Sequence, residues 1–159
     1  MTFNSTLTWN DRIEEIVKKA SRKHYYLVQL KGAKIPTSEL VAYYCACIRS
    51  SIDYACPVFH YSLTKYLQQE LERIQKRALA CVYPESRYED ALSFADLESV
   101  HDHQESLTKT LFRSIVENPK NKLHALLPQR NNNAIYSLKK LRTFKIPKVK
   151  TKRYANSFI

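Results

Sequence analysis

Four cysteines, Cys45, Cys47, Cys56 and Cys81, and five histidines are the side chains of this 159-residue sequence that could hold a metal or serve as nucleophile and base. Cys45, Cys47, Cys56 and His60 offer the right atoms for zinc, but the paired Cys-x-x-Cys spacing that readily closes a tetrahedral site is missing. His101 and His103 are two residues apart and point to different faces of a helix. Cys56 and His60 are spaced as a nucleophile and its base on one helical turn, yet Pro57 intervenes. The four thiols are therefore read as reduced and mostly buried. Metal-assisted phosphoryl transfer needs paired carboxylates to hold two ions against the attacking and leaving oxygens. The chain contains no Asp-Asp pair, and Glu89-Asp90 stands where a helix start favours acids. A single glycine, Gly32, excludes a glycine-rich phosphate loop. The sequence thus predicts no catalytic residue, no metal and no cofactor.

Charge is the second chemical signal, and it is unevenly placed. The net charge is +11. Residues 129–159 hold nine cations (Arg130, Lys139, Lys140, Arg142, Lys145, Lys148, Lys150, Lys152 and Arg153) and no acid, whereas residues 1–128 carry 17 cations against all 15 acids. Tyr136, Phe144, Tyr154 and Phe158 interleave with these cations, a pattern that pairs phosphate contacts with base stacking. If all nine met phosphates, the slope of log affinity against log salt would approach about −6 to −8. Pro128 followed by QRNNN breaks any helical pattern and marks the junction. The expected organisation is a helical domain over 1–128 and a basic, flexible tail over 129–159.

The elements that must position these groups read as helices. Asn10 to Leu30 places Ile13, Ile16, Val17, Ala20, Leu27 and Leu30 on one face, with Thr8 and Asp11 spaced as a capping box and Gly32 as the stop. A second helix runs from Thr37 or Ser38 toward Ala55, with Leu40, Val41, Tyr44, Ile48, Ile52 and Ala55 as its buried stripe and Pro57 ending it. A third, from about Ser62 to Cys81, aligns Leu63, Leu67, Leu71, Ile74, Ala78 and Val82. Its other face carries Glu70, Glu72, Arg73, Lys76 and Arg77, with Glu72 and Lys76 at a favourable i,i+4 spacing. Ser86 with Glu89, and Ser99 with Asp102, repeat the capping-box spacing and start two further helices. The second of these carries Leu107, Leu111 and Ile115 and stops at Asn118-Pro119; a last turn holds Leu123, Leu126 and Leu127. Glycine scarcity argues against hairpins, and Phe3 to Leu7 is the one stretch that could be the remnant of a strand. The fold class is all-α: a small bundle of about five helices with an extended basic C-terminal tail. Apolar runs fall far short of the roughly 20 residues needed to cross a bilayer, so no membrane span is expected. No charged and apolar signal segment opens the sequence, so an oxidising, secretory compartment is not implied.

The segments IRSSIDYACPVFH (Ile48 to His60) and LTKYLQQELERIQKRAL (Leu63 to Leu79) resemble the helical thumb that follows the palm in reverse transcriptases of non-LTR retrotransposons of the jockey, CR1 and RTE type. Upstream LTWNDRIEEIVKKASRKHYYLVQLK, and downstream YEDALSFADLESVHDHQESL and FKIPKVKTKRYANSFI, are similar to the flanks of that region, so the resemblance covers nearly the whole chain. It implies a thumb-like domain without its catalytic palm, gripping the backbone of RNA or DNA through Arg73, Lys76 and Arg77, with the tail from Lys139 to Arg153 adding phosphate contacts and Tyr136, Phe144 and Tyr154 stacking. It also implies a nuclear or cytoplasmic setting, and KIPKVKTKR could serve as a nuclear signal. A palm-containing polymerase fragment or a second copy of the chain is the alternative partner, through an apolar face containing Trp9 and Phe3; a decayed element without selected function is a further alternative. IEEIVKKASRKHYYLVQLK with ELVAYYCACIRSSI is also similar to the short N-terminal domain of AlkB-like, tRNA-modifying oxygenases and methyltransferases. His101-Asp102-His103 has the wrong order and spacing for the iron site of such an oxygenase.

Overall fold

The computed structural model describes residues 9–128. The expected Thr8 cap, the strand remnant at Phe3 to Leu7 and every feature assigned to 129–159 lie outside the described residues. The chain separates into two compact units, 1–108 and 109–159, and the division falls within one helix.

The first unit is built from helices, and no strand occurs among the described residues. Its first helix, α1, spans Asn10–Gly32 and buries Ile13, Ile16, Ala20 and Leu27 at the spacing the sequence predicts. Gly32 is not its left-handed stop. The helix continues through Gly32, and Lys34 takes the left-handed conformation with φ 59°. Lys34 N–H donates to the Lys31 carbonyl (3.0 Å) and Ile35 N–H to the Leu30 carbonyl (3.3 Å), the two bonds of a Schellman cap.

The second helix is one rod assembled from α2 (Thr37–Tyr43), a π-helical turn (Tyr44–Arg49) and α3 (Ser50–Asp53). The π turn explains how residues four apart stay in the core. Four residues of α-helix overshoot a full turn by about 40°, so a stripe at that spacing drifts around the cylinder; a wider π turn rotates it back. Leu40, Tyr44, Ile48 and Ile52 are accordingly all fully buried, each apolar side chain contributing about 1.5–3 kcal/mol. Loosened carbonyls are taken up locally. Ser50 Oγ donates to Ala46 (2.5 Å), Ser51 Oγ to Cys47 (2.9 Å), and Lys23 Nζ reaches Cys47 from α1 (2.9 Å). Pro57 does not end this rod. The rod stops at Asp53, Ala55 turns left-handed (φ 60°), and Pro57 sits in the first turn of a short helix α4, Cys56–Phe59. Proline is suited to that position because the first-turn N–H groups lack helical partners.

A 3₁₀ turn, His60–Ser62, leads to α5, Lys65–Val82, which starts three residues later than the apolar pattern suggests because Thr64 Oγ1 caps Leu67 N–H. α1 and α5 run parallel: Trp9 packs on Phe59 at one end (5.8 Å between rings), and Lys31 Nζ donates to the Val82 carbonyl at the other (3.1 Å). Trp9 therefore belongs to the packed body rather than to an exposed apolar face. The rod runs antiparallel to α1, with Arg12 over the Tyr54 ring and Lys23 beside Cys47.

Helix α6, Tyr88–Ala95, has its N-cap at Arg87, one residue after the expected Ser86, with no side-chain cap. The box at Ser99 and Asp102 does form, Asp102 N–H donating to Ser99 Oγ (3.1 Å) and Ser99 Oγ to Asp102 (2.7 Å), and it opens α7, Val100–Glu117. Glu72 departs from its expected Lys76 pairing. It accepts Val100 N–H (3.0 Å) and the Tyr88 hydroxyl, which ties the start of α7 to α5. Between them lies Gln75, fully buried: its Oε1 accepts Tyr44 Oη (2.6 Å) and its Nε2 donates to Tyr88 Oη and the Glu98 carbonyl (both 2.9 Å).

Described residues of the second unit comprise the end of α7 and a 3₁₀ turn, Lys122–Leu126, where Asn121 caps Leu123 and His124 Nδ1 donates to the Ile115 carbonyl (2.8 Å). Ile115 is buried as expected, whereas Leu107, Leu111, Leu123 and Leu126 are exposed.

Candidate nucleic-acid interface

On α5 the core takes Leu67, Leu71, Ile74, Gln75, Ala78, Leu79 and Val82, and this arc leaves Arg73, Lys76 and Arg77 exposed together on the opposite side. Spacing predicted that grouping. Their neighbours differ. Arg73 stands at the crest, paired with Glu70 one turn back (3.0 Å). Lys76 lies on the α6 flank with its ammonium 5.0 Å from the centre of the Tyr88 ring. Arg77 lies on the α1 flank opposite His24, whose imidazole pKa is pushed down by burial and then by that guanidinium. The remaining predicted contacts, Lys139, Lys140, Arg142, Lys145, Lys148, Lys150, Lys152 and Arg153 with Tyr136, Phe144 and Tyr154, lie outside the described residues.

α1, which packs parallel to α5, carries a basic run of its own. Residues 16–38 contain six cations and no acid, a run readable from sequence but overshadowed by the C-terminal one. Lys18, Arg22, Tyr25 and Gln29 recur at helical spacing along the exposed side. Lys18 pairs with Glu14 (2.6 Å) and Lys19 with Glu15 (2.7 Å) near the start of the helix. Beyond them the ridge carries Arg22, then Tyr25 and Tyr26, whose rings meet edge to face at 5.8 Å. Tyr66 on α5 is exposed to a similar degree.

Two concavities flank the IRSSIDY segment. The larger, about 800 Å³, is lined by Arg49, Asp53, Asp96, Glu98 and His103 among others. Arg49 is buried and held by Asp53 (3.5 Å) and the Glu98 carbonyl (3.3 Å), and burial pushes the Asp53 carboxyl pKa up while His103 and Arg49 pull it back. Three carboxylates around one guanidinium repel phosphate, which separates this cavity from the basic faces of α1 and α5. The smaller, about 460 Å³, lies between α1 and the rod and is lined by Arg12, Glu15, Lys19, Ser51 and Tyr54 among others.

The cysteine ligand set does not assemble. Among the described residues the one group of three metal-ligating side chains in reach of one another is His101, Asp102 and Glu105, within 4.8 Å; its Asp102 belongs to the capping box of α7. Cys56 is fully buried and its thiol pKa is pushed up to about 12 by desolvation, which keeps it protonated and inert. Cys45, Cys47 and Cys81 are half-buried rather than enclosed. His60 is buried against Gln104 and its ring packs on His101 (5.0 Å), whereas His103 turns to Asp53 (3.4 Å), so the two histidines flanking Asp102 do serve different faces.

The described residues form an all-α module with exposed cations grouped on α5 and on the outer side of α1. A family model described as "Alkylated DNA repair protein alkB homolog 8, N-terminal" matches residues 9–50, the stretch from α1 to the end of the π turn. No curated protein and no solved structure matches the chain. Among the described residues, no helix is long and apolar enough to cross a membrane.

Proposed function

We propose that the chain is a nucleic-acid-binding module, corresponding to the thumb and C-terminal region of a non-LTR retrotransposon reverse transcriptase, whose part in the reaction is to hold the strand rather than to do the chemistry. The observation that carries this reading is the exposed arc of α5, where Arg73, Lys76 and Arg77 stand together and Glu70 is turned aside to Arg73. Phosphate contacts from such an arc hold a backbone in place without reading its sequence. The acid-free segment 129–159 would add the larger share of counterion release. Fluorescence anisotropy of a labelled oligonucleotide against salt tests it. Arg73→Ala, Lys76→Ala and Arg77→Ala should each flatten the slope of log affinity by about 0.7–0.9. Deleting residues 129–159 should flatten it by several times that amount. Binding without a salt slope, or unchanged by both alterations, would sink the reading.

A second reading rests on the family match over residues 9–50. There the α1–α2 hairpin would be the accessory domain of an AlkB-like enzyme, again working beside nucleic acid. The chain's own residues do not fit the iron of such an enzyme, since His101 packs on His60 and His103 on Asp53. Co-purification with an AlkB-type oxygenase and no salt-dependent binding by the isolated chain would favour this alternative.

A further inference from the structure

Resting on the nucleic-acid reading, we infer that the outer ridge of α1 is a stacking platform for unpaired bases, so that the ligand is single-stranded. Tyr25 and Tyr26 are 61% and 58% exposed, on consecutive positions of a well-packed helix, with their rings at 72° to one another. An edge-to-face pair leaves ring faces open to solvent, and a base is the ligand whose flat face matches them. Duplex bases already stack on each other and offer no such face, which makes the strand's pairing state the discriminating property.

The charge around the tyrosines says what else the ligand must carry. Arg22 lies three and four residues before them, one helical turn away, and has no ion-pair partner among the described residues. Arg77 stands across the α1–α5 groove beside His24, with Arg73 one turn further along α5. No acid occurs between Ile16 and Ser38. A protein surface bound here would have to be strongly acidic, whereas a nucleic-acid strand supplies a phosphate for each base. The two tyrosines thus offer base-facing groups with Arg22 one turn away as a phosphate-facing group on the same helix, and the adjacent helix adds Arg77.

The test uses the full chain and three probes of equal length: a single-stranded oligonucleotide, the same strand with consecutive abasic sites at its centre, and a duplex. Stacking is worth about 1–3 kcal/mol per base, or about 5- to 150-fold in affinity. The single strand should bind at least tenfold tighter than the abasic strand and tighter than the duplex. Tyr25→Ala with Tyr26→Ala should erase the difference between intact and abasic strands while leaving the salt slope unchanged; Tyr25→Phe with Tyr26→Phe should preserve it. Arg22→Ala should instead flatten the slope by about 0.7 and keep the base dependence. Equal affinity for intact and abasic strands, preference for duplex, or an alanine pair that loses nothing would overturn the inference while leaving the α5 reading intact. Loss of self-association by light scattering in the alanine pair, with strand binding unchanged, would overturn it in favour of a protein interface. Failure of every probe to show a salt slope would remove the nucleic-acid reading itself.

Discussion

Exchanging the chemistry of Gly32 and Lys34 should stabilise the protein, and the sign of each half tests where α1 ends. Gly32 is the last helical residue, and a Cβ built on it meets nothing within 4 Å. Alanine there removes a glycine from a helix at no steric cost, worth about 0.5–1 kcal/mol in a terminal turn. Lys34 occupies the left-handed region at φ 59°, which costs a residue with a Cβ about 1–2 kcal/mol. Glycine relieves that strain but enlarges the unfolded ensemble by about 0.4–1 kcal/mol, for a net gain of about 0.5–1 kcal/mol. Gly32→Ala with Lys34→Gly should therefore add about 1–2 kcal/mol and raise Tm by about 4–8 °C in a domain of this size. Thermal melts followed by far-UV circular dichroism, with Lys34→Ala as a neutral control, measure it. A lower Tm for Gly32→Ala would mean that Gly32 itself carries the left-handed turn, and the cap geometry described above would be wrong.

Tyr44→Phe leaves buried Gln75 Oε1 without its 2.6 Å donor and should cost about 1–3 kcal/mol in urea unfolding with an unchanged m-value. Burial holds the His60 pKa below its ordinary value, with Gln104 opposing and His101 and Glu105 making smaller contributions. The unfolded chain therefore binds the extra proton first: stability is full above about pH 6.5 and falls below it by at most about 1.4 kcal/mol per pH unit. His60→Gln should flatten that decline in melts between pH 6.5 and 5. Cys56, with its thiol pushed up to about 12, should resist maleimide at pH 7.5 until denaturant is added, as mass spectrometry of the labelled chain would show.

Helix positions were legible because each apolar stripe follows its own periodicity, and the Ser99–Asp102 box was legible because both partners are local. Some departures involve a partner distant in sequence, and others a local turn. Glu72 abandons Lys76 because Val100 N–H and the Tyr88 hydroxyl need an acceptor at the start of α7. Trp9, assigned from sequence to an exposed apolar face, packs instead on Phe59. The left-handed residue moves from Gly32 to Lys34 because the last turn of α1 extends two residues past Leu30. The site follows a similar division: the pattern grouped Arg73, Lys76 and Arg77, whereas only the packing of α1 on α5 sets His24, next in sequence to Tyr25, against Arg77. The acid-free run from 16 to 38 was the available signal; its meaning depended on that neighbour.

The π turn of the central rod makes chain length there a structural variable in its own right. Removing one residue between Tyr44 and Arg49 would allow an unbroken α-helix, locally a better-bonded one, in which Ile52 stands seven residues from Tyr44, about 20° short of two full turns. Ile52 would stay on the core face, and the loosened carbonyls of Ala46 and Cys47 would return from Ser50, Ser51 and Lys23 to the helical ladder. Within this segment the fold should therefore accept one residue fewer with Leu40 and Ile52 still on one face, and relatives that share the architecture should vary in length at this turn before they vary elsewhere in the rod.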